Sequence, residues 1–307
     1  MNDWQRSRLR RAFTDSLPAP PDLEPHLKEA LNRVLHNPGS LIRPEIALEI
    51  ALGYGLPETA ATNLAIGLEY FHTASLLFDD LPSMDDAVDR RGNPCVHVDY
   101  GDAGAILAAL ALINRAYALI WKAASHCSPD CQSRALVYIE RRLGVDGLLN
   151  GQSMDLRYAS LPHDLRTTEQ IAIGKTVSLI RLTLVLPAIL GGASVVELQL
   201  LERMALFWGL SYQIVDDLKD VLQSSMETGK TAARDFLLDR PNIALVLGHE
   251  KAAERLAKLV GLGDRMLRRL ILLRPNIRFL ETLRMELGEE ARQLTQSVSA
   301  QAVGESA

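Results

Sequence analysis

Apolar residues recur three or four apart through almost the whole chain: Leu23 to Leu35, Pro44 to Tyr54, Glu58 to Phe78, Ala103 to Ala124, Ser133 to Asn150, Thr168 to Leu190, Val195 to Leu222, Asn242 to Val260 and Leu262 to Leu272. That is the period of a helix with one buried face, and the two-residue alternation of a strand is nearly absent. The pattern predicts an all-α fold, a large helical bundle whose apolar stripes share a core. Helix starts are expected at Pro57-Glu58 and at Thr167-Thr168-Glu169, with Asp164 as a cap just upstream. Stops are expected at Gly191-Gly192 and at Gly261 with Gly263. No Pro/Gly/Ser-rich linker divides the 307 residues, so a single domain over 1–307 is expected, with flexible ends at about 1–20 and 295–307.

Composition removes several function classes. A formal net charge of −5 argues against nucleic acid as a partner. The N-terminal residues Met1 to Ser16 are charged and lack the apolar core of a signal peptide. No uninterrupted apolar run reaches the ~20 residues of a membrane span; Ala103 to Ala124 comes closest, and Asn114 and Arg115 interrupt it. Three cysteines (Cys95, Cys127, Cys131) are too few for a disulfide framework, and a reducing cytoplasm is the simplest compartment. His126, Cys127 and Cys131 fall short of the four ligands of a closed zinc site.

Two acid clusters carry the chemistry. Asp79-Asp80-Leu81-Pro82-Ser83-Met84-Asp85-Asp86 and Asp216-Asp217-Leu218-Lys219-Asp220 each end an apolar helical stretch. Carboxylates packed this densely repel one another, and burying them costs several kcal/mol per unpaired charge. Hard divalent cations relieve that cost, and Mg2+ commonly bridges carboxylates to substrate phosphates. Asp216 and Asp220, four apart, share a helix face. Asp85 stands six residues after Asp79, about 240° around an ideal helix, so Pro82 is expected to loosen the helix and let Asp85 fold back. Asp86, seven on, would share the face of Asp79 without distortion. The EF-hand pattern of alternating oxygen ligands and a central glycine is absent from both clusters.

Cations surround these acids: Arg90-Arg91, Lys175 and Lys230. Arginine suits bidentate phosphate recognition and lysine acts as a movable point charge. With two metal-type clusters they describe a diphosphate pocket.

The run Asp79-Asp80-Leu81-Pro82-Ser83-Met84-Asp85-Asp86, with Arg90-Arg91-Gly92-Asn93-Pro94 and His97, resembles the first aspartate-rich motif of trans-isoprenyl diphosphate synthases. Gly151-Gln152-Ser153-Met154-Asp155-Leu156, Lys175-Thr176, Tyr212-Gln213-Ile214-Val215-Asp216-Asp217-Leu218-Lys219-Asp220 and Gly229-Lys230 are similar to further motifs of that family, in order. The resemblance covers roughly residues 25 to 290. It implies an all-helical, homodimeric, Mg2+-dependent prenyltransferase with about three ions per site, whose substrates are an allylic diphosphate and isopentenyl diphosphate. It further implies metal ligands at Asp79, Asp80, Asp85, Asp216 and Asp220, with Asp217 beside them, and diphosphate contacts from Arg90, Lys175 and Lys230. Thr176 and Gln213 resemble the polar groups that face the carbocation, and His72 and Arg91 match positions that hold the second diphosphate.

One motif departs from the pattern. The family's Gly-Gly-Lys-x-x-Arg-Pro segment corresponds to Pro38-Gly39-Ser40-Leu41-Ile42-Arg43-Pro44, which keeps Arg43 but puts Ser40 in place of the lysine. The missing charge-assisted contact is worth about 1.5–3 kcal/mol at the acceptor site. Arg240-Pro241-Asn242 replaces a Lys-x-Thr, and Arg240 still supplies charge near the donor. Three readings follow: an elongating synthase with a compensated acceptor site, a terpene synthase-like or other prenyltransferase that ionises the donor without isopentenyl diphosphate, and a non-catalytic partner of an active synthase.

In the family, a bulky residue five positions before the first motif stops chain growth. Here that residue is Ala74, followed by Ser75, and Phe71 lies about 4.5 Å deeper at 1.5 Å per residue. The expected product is C20, with C15 or C25 as alternatives.

Overall fold

Helices form where the period predicts them, and their ends follow local chemistry. The computed structural model describes residues 3–90, 92–228, 240–285, 288–289 and 291–294, with 3–5 and 222–228 described by their backbone alone. Its helices are α1 (Asp3–Asp15), α2 (Pro25–Leu35), α3 (Ile42–Gly53), α4 (Glu58–Asp79), α5 (Val96–Ala124), α6 (Pro129–Leu143), α7 (Leu148–Leu156), α8 (Leu165–Ala172), α9 (Ser178–Leu190), α10 (Val195–Thr228), α11 (Ile243–Leu247) and α12 (His249–Leu273). The strands among the described residues are β1 (Asp89–Arg90) and β2 (Asn93–Pro94), which pair antiparallel. The fold class is therefore all-α. The chain divides into two compact units, residues 1–133 with 190–192 and residues 134–189 with 193–307.

In the first unit α4 is the core element, and Ala60, Leu64, Ala65, Ile66, Tyr70 and Ala74 along it are fully enclosed. Gly67 lets α5 come close: a methyl group there would stand 2.8 Å from Ile120 and 3.0 Å from the Ala116 carbonyl. Within the N-terminal stretch of about 20 residues, Asp3–Asp15 form α1. Leu9 and Phe13 of α1 are buried, and the Tyr70 hydroxyl donates to the Phe13 carbonyl at 2.6 Å. Two apolar side chains and one buried hydrogen bond outweigh the charge density of that segment. α2 starts at Glu24, whose carboxylate accepts from the His26 and Leu27 amides and so satisfies two orphan donors of the first turn.

In the second unit α10 and α12 pack lengthwise, with Ile214, Leu218, Ile243 and Leu256 fully enclosed. Asp164 caps α8 as expected, accepting from the Thr167 amide at 2.8 Å. Three expectations fail here. The segment 133–150 breaks at residues 144–147 into α6 and α7, because Gly147 is packed against the carbonyls of Arg141 and Arg142, where a side chain would clash. The stretch 168–190 is interrupted by a π-turn over 173–177. Gly261 and Gly263 stop nothing: α12 runs through both, and Gly263 is needed because the Trp208 ring occupies the space a methyl group would take.

Val96–Ala124 and residues 165–190 are, by length and composition, apolar enough to cross a bilayer, since neither Asn114 nor Arg115 lowers the average far; 61% of the second window is packed inside the protein.

Candidate active site

The first acid cluster is built by a helix that ends and a chain that turns back. Pro82 disfavours helix at the residue before it, and α4 stops at Asp79 with Asp80 as its C-cap. The Asp85 amide then donates to the Asp79 carbonyl at 2.9 Å, and the Ala87 amide to the Asp80 carbonyl at 3.2 Å. The helix is thus not loosened, as expected from sequence, but finished. Asp85 returns to Asp79 through a turn, and the alternative that places Asp86 on a continuing helix face loses its helix. Asp86 instead takes a left-handed backbone, φ 48°.

Asp80 is 3% exposed and receives Arg90 Nε at 2.6 Å. The β1–β2 hairpin, turned at Gly92 with φ 73°, brings Arg90 there. Arg90, expected on a diphosphate, is therefore first a counter-ion for a buried carboxylate. Burial and the Asp80 carboxylate push the neighbouring Cys95 thiol up to about 11.

Two turns back along α4, His72 Nε2 lies 3.1 Å from Arg43 Nη1. The guanidinium can only donate, so His72 accepts through Nε2 and carries its proton on Nδ1. Two of the three residues that the resemblance places at the acceptor diphosphate, Arg43 and His72, thus stand together. Ser40 is exposed beside Gly39 and Leu41, whose φ values are 68° and 56°. Ala74 is fully buried and Phe71 is 5% exposed. Ser75 turns its hydroxyl back to the His72 carbonyl at 2.8 Å. The Phe71 ring meets the Tyr117 ring edge-on, centroids 4.9 Å apart, and sequence reasoning had no signal for Tyr117.

In the second unit a backbone contact shapes the site. Gly151 of α7 and Gly174 of the π-turn touch so closely that a methyl group on Gly174 would sit 2.6 Å from the Gly151 Cα. π-Turns inside α-helices are frequent at functional sites, and this one presents Lys175 and Thr176. Lys175 Nζ meets Asp155 Oδ2 at 2.7 Å, and Arg240 Nη1 approaches the same oxygen at 3.5 Å. Asp155 was missed as a site residue, although it closes the Gly151-Gln152 motif. Thr176 Oγ1 donates to Gln213 Oε1 at 2.7 Å, and Gln213 Nε2 donates to Asp217 Oδ1 at 2.8 Å.

Asp217, which the resemblance places beside the metal ligands as a further catalytic acid, faces inward. It is 2% exposed, and its Oδ2 accepts the Ile243 amide at 2.6 Å at the start of α11. With one oxygen on Gln213 and the other on α11, it positions rather than reacts. Asp216 and Asp220 lie exposed, four apart on α10. Lys230 and Arg91 fall outside the described residues. Among the described residues no three ligands stand grouped as a ready-made metal cage.

Residues 24–266 match the family model of polyprenyl synthetases, and the chain belongs to that family. It is 37% identical over 238 residues to the chloroplastic geranylgeranyl pyrophosphate synthase of Capsicum annuum, a match over 77% of this chain and 64% of that protein. The chain thus spans slightly less than two thirds of that relative. It is 35% identical over 254 residues to the chloroplastic geranylfarnesyl diphosphate synthase of Leucosceptrum canum, covering 82% of this chain and 69% of that one. A solved FPP/GFPP synthase from Zymomonas mobilis superposes with a TM-score of 0.74 at 28% identity, over 89% of this chain and 94% of that one.

Proposed function

We propose that the chain is a Mg2+-dependent prenyltransferase that condenses an allylic diphosphate with isopentenyl diphosphate into a C20 prenyl diphosphate. In this reading Asp79, Asp80, Asp85, Asp216 and Asp220 are the residues that would hold Mg2+, about three ions in all. Bound Mg2+ supplies positive charge to the departing diphosphate. Lys175 and Arg240, gathered on Asp155, add cationic donors for the same group. Arg43 and His72, 3.1 Å apart, would form the acceptor's diphosphate contact.

The observation that carries the reading is the Thr176–Gln213–Asp217 chain. Asp217 holds the Gln213 amide nitrogen, which leaves the amide oxygen and the Thr176 hydroxyl as adjacent lone-pair donors. Fixed dipoles of that sign stabilise a developing cation. The names of the relatives, geranylgeranyl and geranylfarnesyl synthases, and the depth of Phe71 support C20, with C25 or C15 as neighbouring outcomes.

A homodimer belongs to the same reading. On α5, Leu107, Leu110, Tyr117 and Trp121 are 47–63% exposed and follow the 3.5-residue spacing of a helix–helix seam. The three cysteines are free, as a cytoplasmic location would keep them.

The test offers dimethylallyl, geranyl and farnesyl diphosphates with Mg2+, with and without isopentenyl diphosphate. Elongated diphosphates formed only with the acceptor support the proposal. Hydrocarbon or alcohol without it assigns an enzyme that ionises the donor without isopentenyl diphosphate. Inactivity alone, with stimulation of a second synthase, assigns a partner role.

A further inference from the structure

The C-terminal turns of α12 carry a face for which prenyl transfer has no use. Arg265, Arg268, Arg269 and Leu272 recur at intervals of three, four and seven, so they share one side of the helix, and Leu273 flanks them. All five are exposed. Leu272, at 83%, is the most exposed large apolar side chain among the described residues, and Leu273 stands at 53%. No carboxylate among the described residues pairs with Arg265, Arg268 or Arg269. The nearest acid in sequence, Asp264, is already bound by Arg284 through both oxygens. A positive, leucine-tipped face in a chain of net charge −5 is a local reversal of the general surface. The helix dipole explains cations near a C-terminal end. It does not explain a leucine held out in water.

We propose that this face docks on an anionic lipid surface, with the guanidinium forks on headgroup phosphates and Leu272 and Leu273 in the interfacial layer. Arginine matches phosphate bidentately, and a helix face with cations around apolar side chains is the form that lies in the membrane interface. Nucleic acid offers the same phosphate charge but nothing for the two leucines to enter. The inference stands on the second unit's surface alone and does not depend on the prenyl-transfer reading.

The experiment sediments the full chain with vesicles of phosphatidylglycerol and phosphatidylcholine, or of phosphatidylcholine alone, at low and high salt. The expected result is binding to the anionic vesicles that falls away at high salt, where surface charges are screened. Each arginine contributes about fivefold to partitioning, so the triple variant R265E/R268E/R269E loses more than about a hundredfold. Leu272→Ser weakens binding while its salt dependence persists, a split that a purely electrostatic contact would not give. All substituted side chains are exposed, and circular dichroism confirms that the variants fold. The proposal is overturned if the wild-type chain stays in the supernatant with anionic vesicles, if the triple variant sediments like wild type, or if duplex DNA is retained at a salt concentration where vesicles are not.

Discussion

Thr176 donates to Gln213 at 2.7 Å, and the direction of that bond is dictated from behind. Asp217 takes the Gln213 amide nitrogen, so the carbonyl end must face the threonine. The orientation of an amide, ordinarily ambiguous, is here set by a buried carboxylate whose other oxygen starts a helix.

Thr176→Val keeps the shape and removes the hydroxyl. The expected outcome is a fall in kcat of about tenfold, the worth of one hydrogen bond that strengthens as charge develops, with little change in KM for the allylic substrate. Thr176→Ser retains most activity. Steady-state kinetics of both variants check the split, and equal losses in the two would remove the hydroxyl from the mechanism.

Asp155→Asn keeps volume and deletes the anion that holds Lys175 and Arg240. Two partly buried cations then lose a shared counter-ion. Stability is expected to drop by about 1–3 kcal/mol, read as a lower urea midpoint with unchanged slope, together with a higher KM for the allylic diphosphate.

Phe71→Ala opens the region beneath Ala74 and is expected to shift product toward C25, while Ala74→Tyr shortens it. Chromatography of dephosphorylated products reads both. Because Ala74 is fully enclosed, the tyrosine variant carries an overpacking cost of about 1–3 kcal/mol. The phenylalanine variant is therefore the more secure measurement.

Trp121→Glu places a charge in the α5 stripe. If that stripe joins two copies, sedimentation velocity should show the variant as a monomer at concentrations where the wild-type chain is a dimer. An unchanged sedimentation coefficient would put the seam elsewhere.

Glu197 makes part of the stability acid-labile. Burial pushes its carboxyl up, but the Ser194 hydroxyl and amide and the Arg274 guanidinium outweigh burial and hold it below the usual glutamate range. A depressed native pKa contributes stability above the unfolded value, and that contribution is lost as pH falls through the native one. Glu197→Gln is therefore less stable than wild type at neutral pH, and the gap closes in acid. Denaturant midpoints measured from pH 7 downward would show the two curves converging.

Much of this was legible in the residues, for identifiable reasons. The helix starts at Glu58 and Leu165 and the stop at Gly191-Gly192 follow from backbone chemistry that acts within a few positions. The break between α6 and α7 did not show, because Val145, Leu148 and Leu149 continue the apolar period across it. Gly263 misled, since its function is to admit Trp208, a contact 55 positions away in the chain. The metal-type acids stood out by density. Which of Asp216 and Asp217 turns inward did not, because neighbours on a helix differ by about 100° and only packing decides which points inside. Asp155 is a lone acid, and its two cations reach it only once the π-turn exists. The return of Asp85 to Asp79 was expected from a bent helix, and a turn makes it instead.

The acceptor loop has a last implication. Its unusual backbone is carried by Gly39 and Leu41, at φ 68° and 56°, while Ser40 between them is exposed and free of that requirement. Residue 40 is therefore a socket whose occupant can be exchanged without redrawing the main chain. The absent lysine is a loss of charge rather than of architecture, and a single codon would suffice to reinstate it.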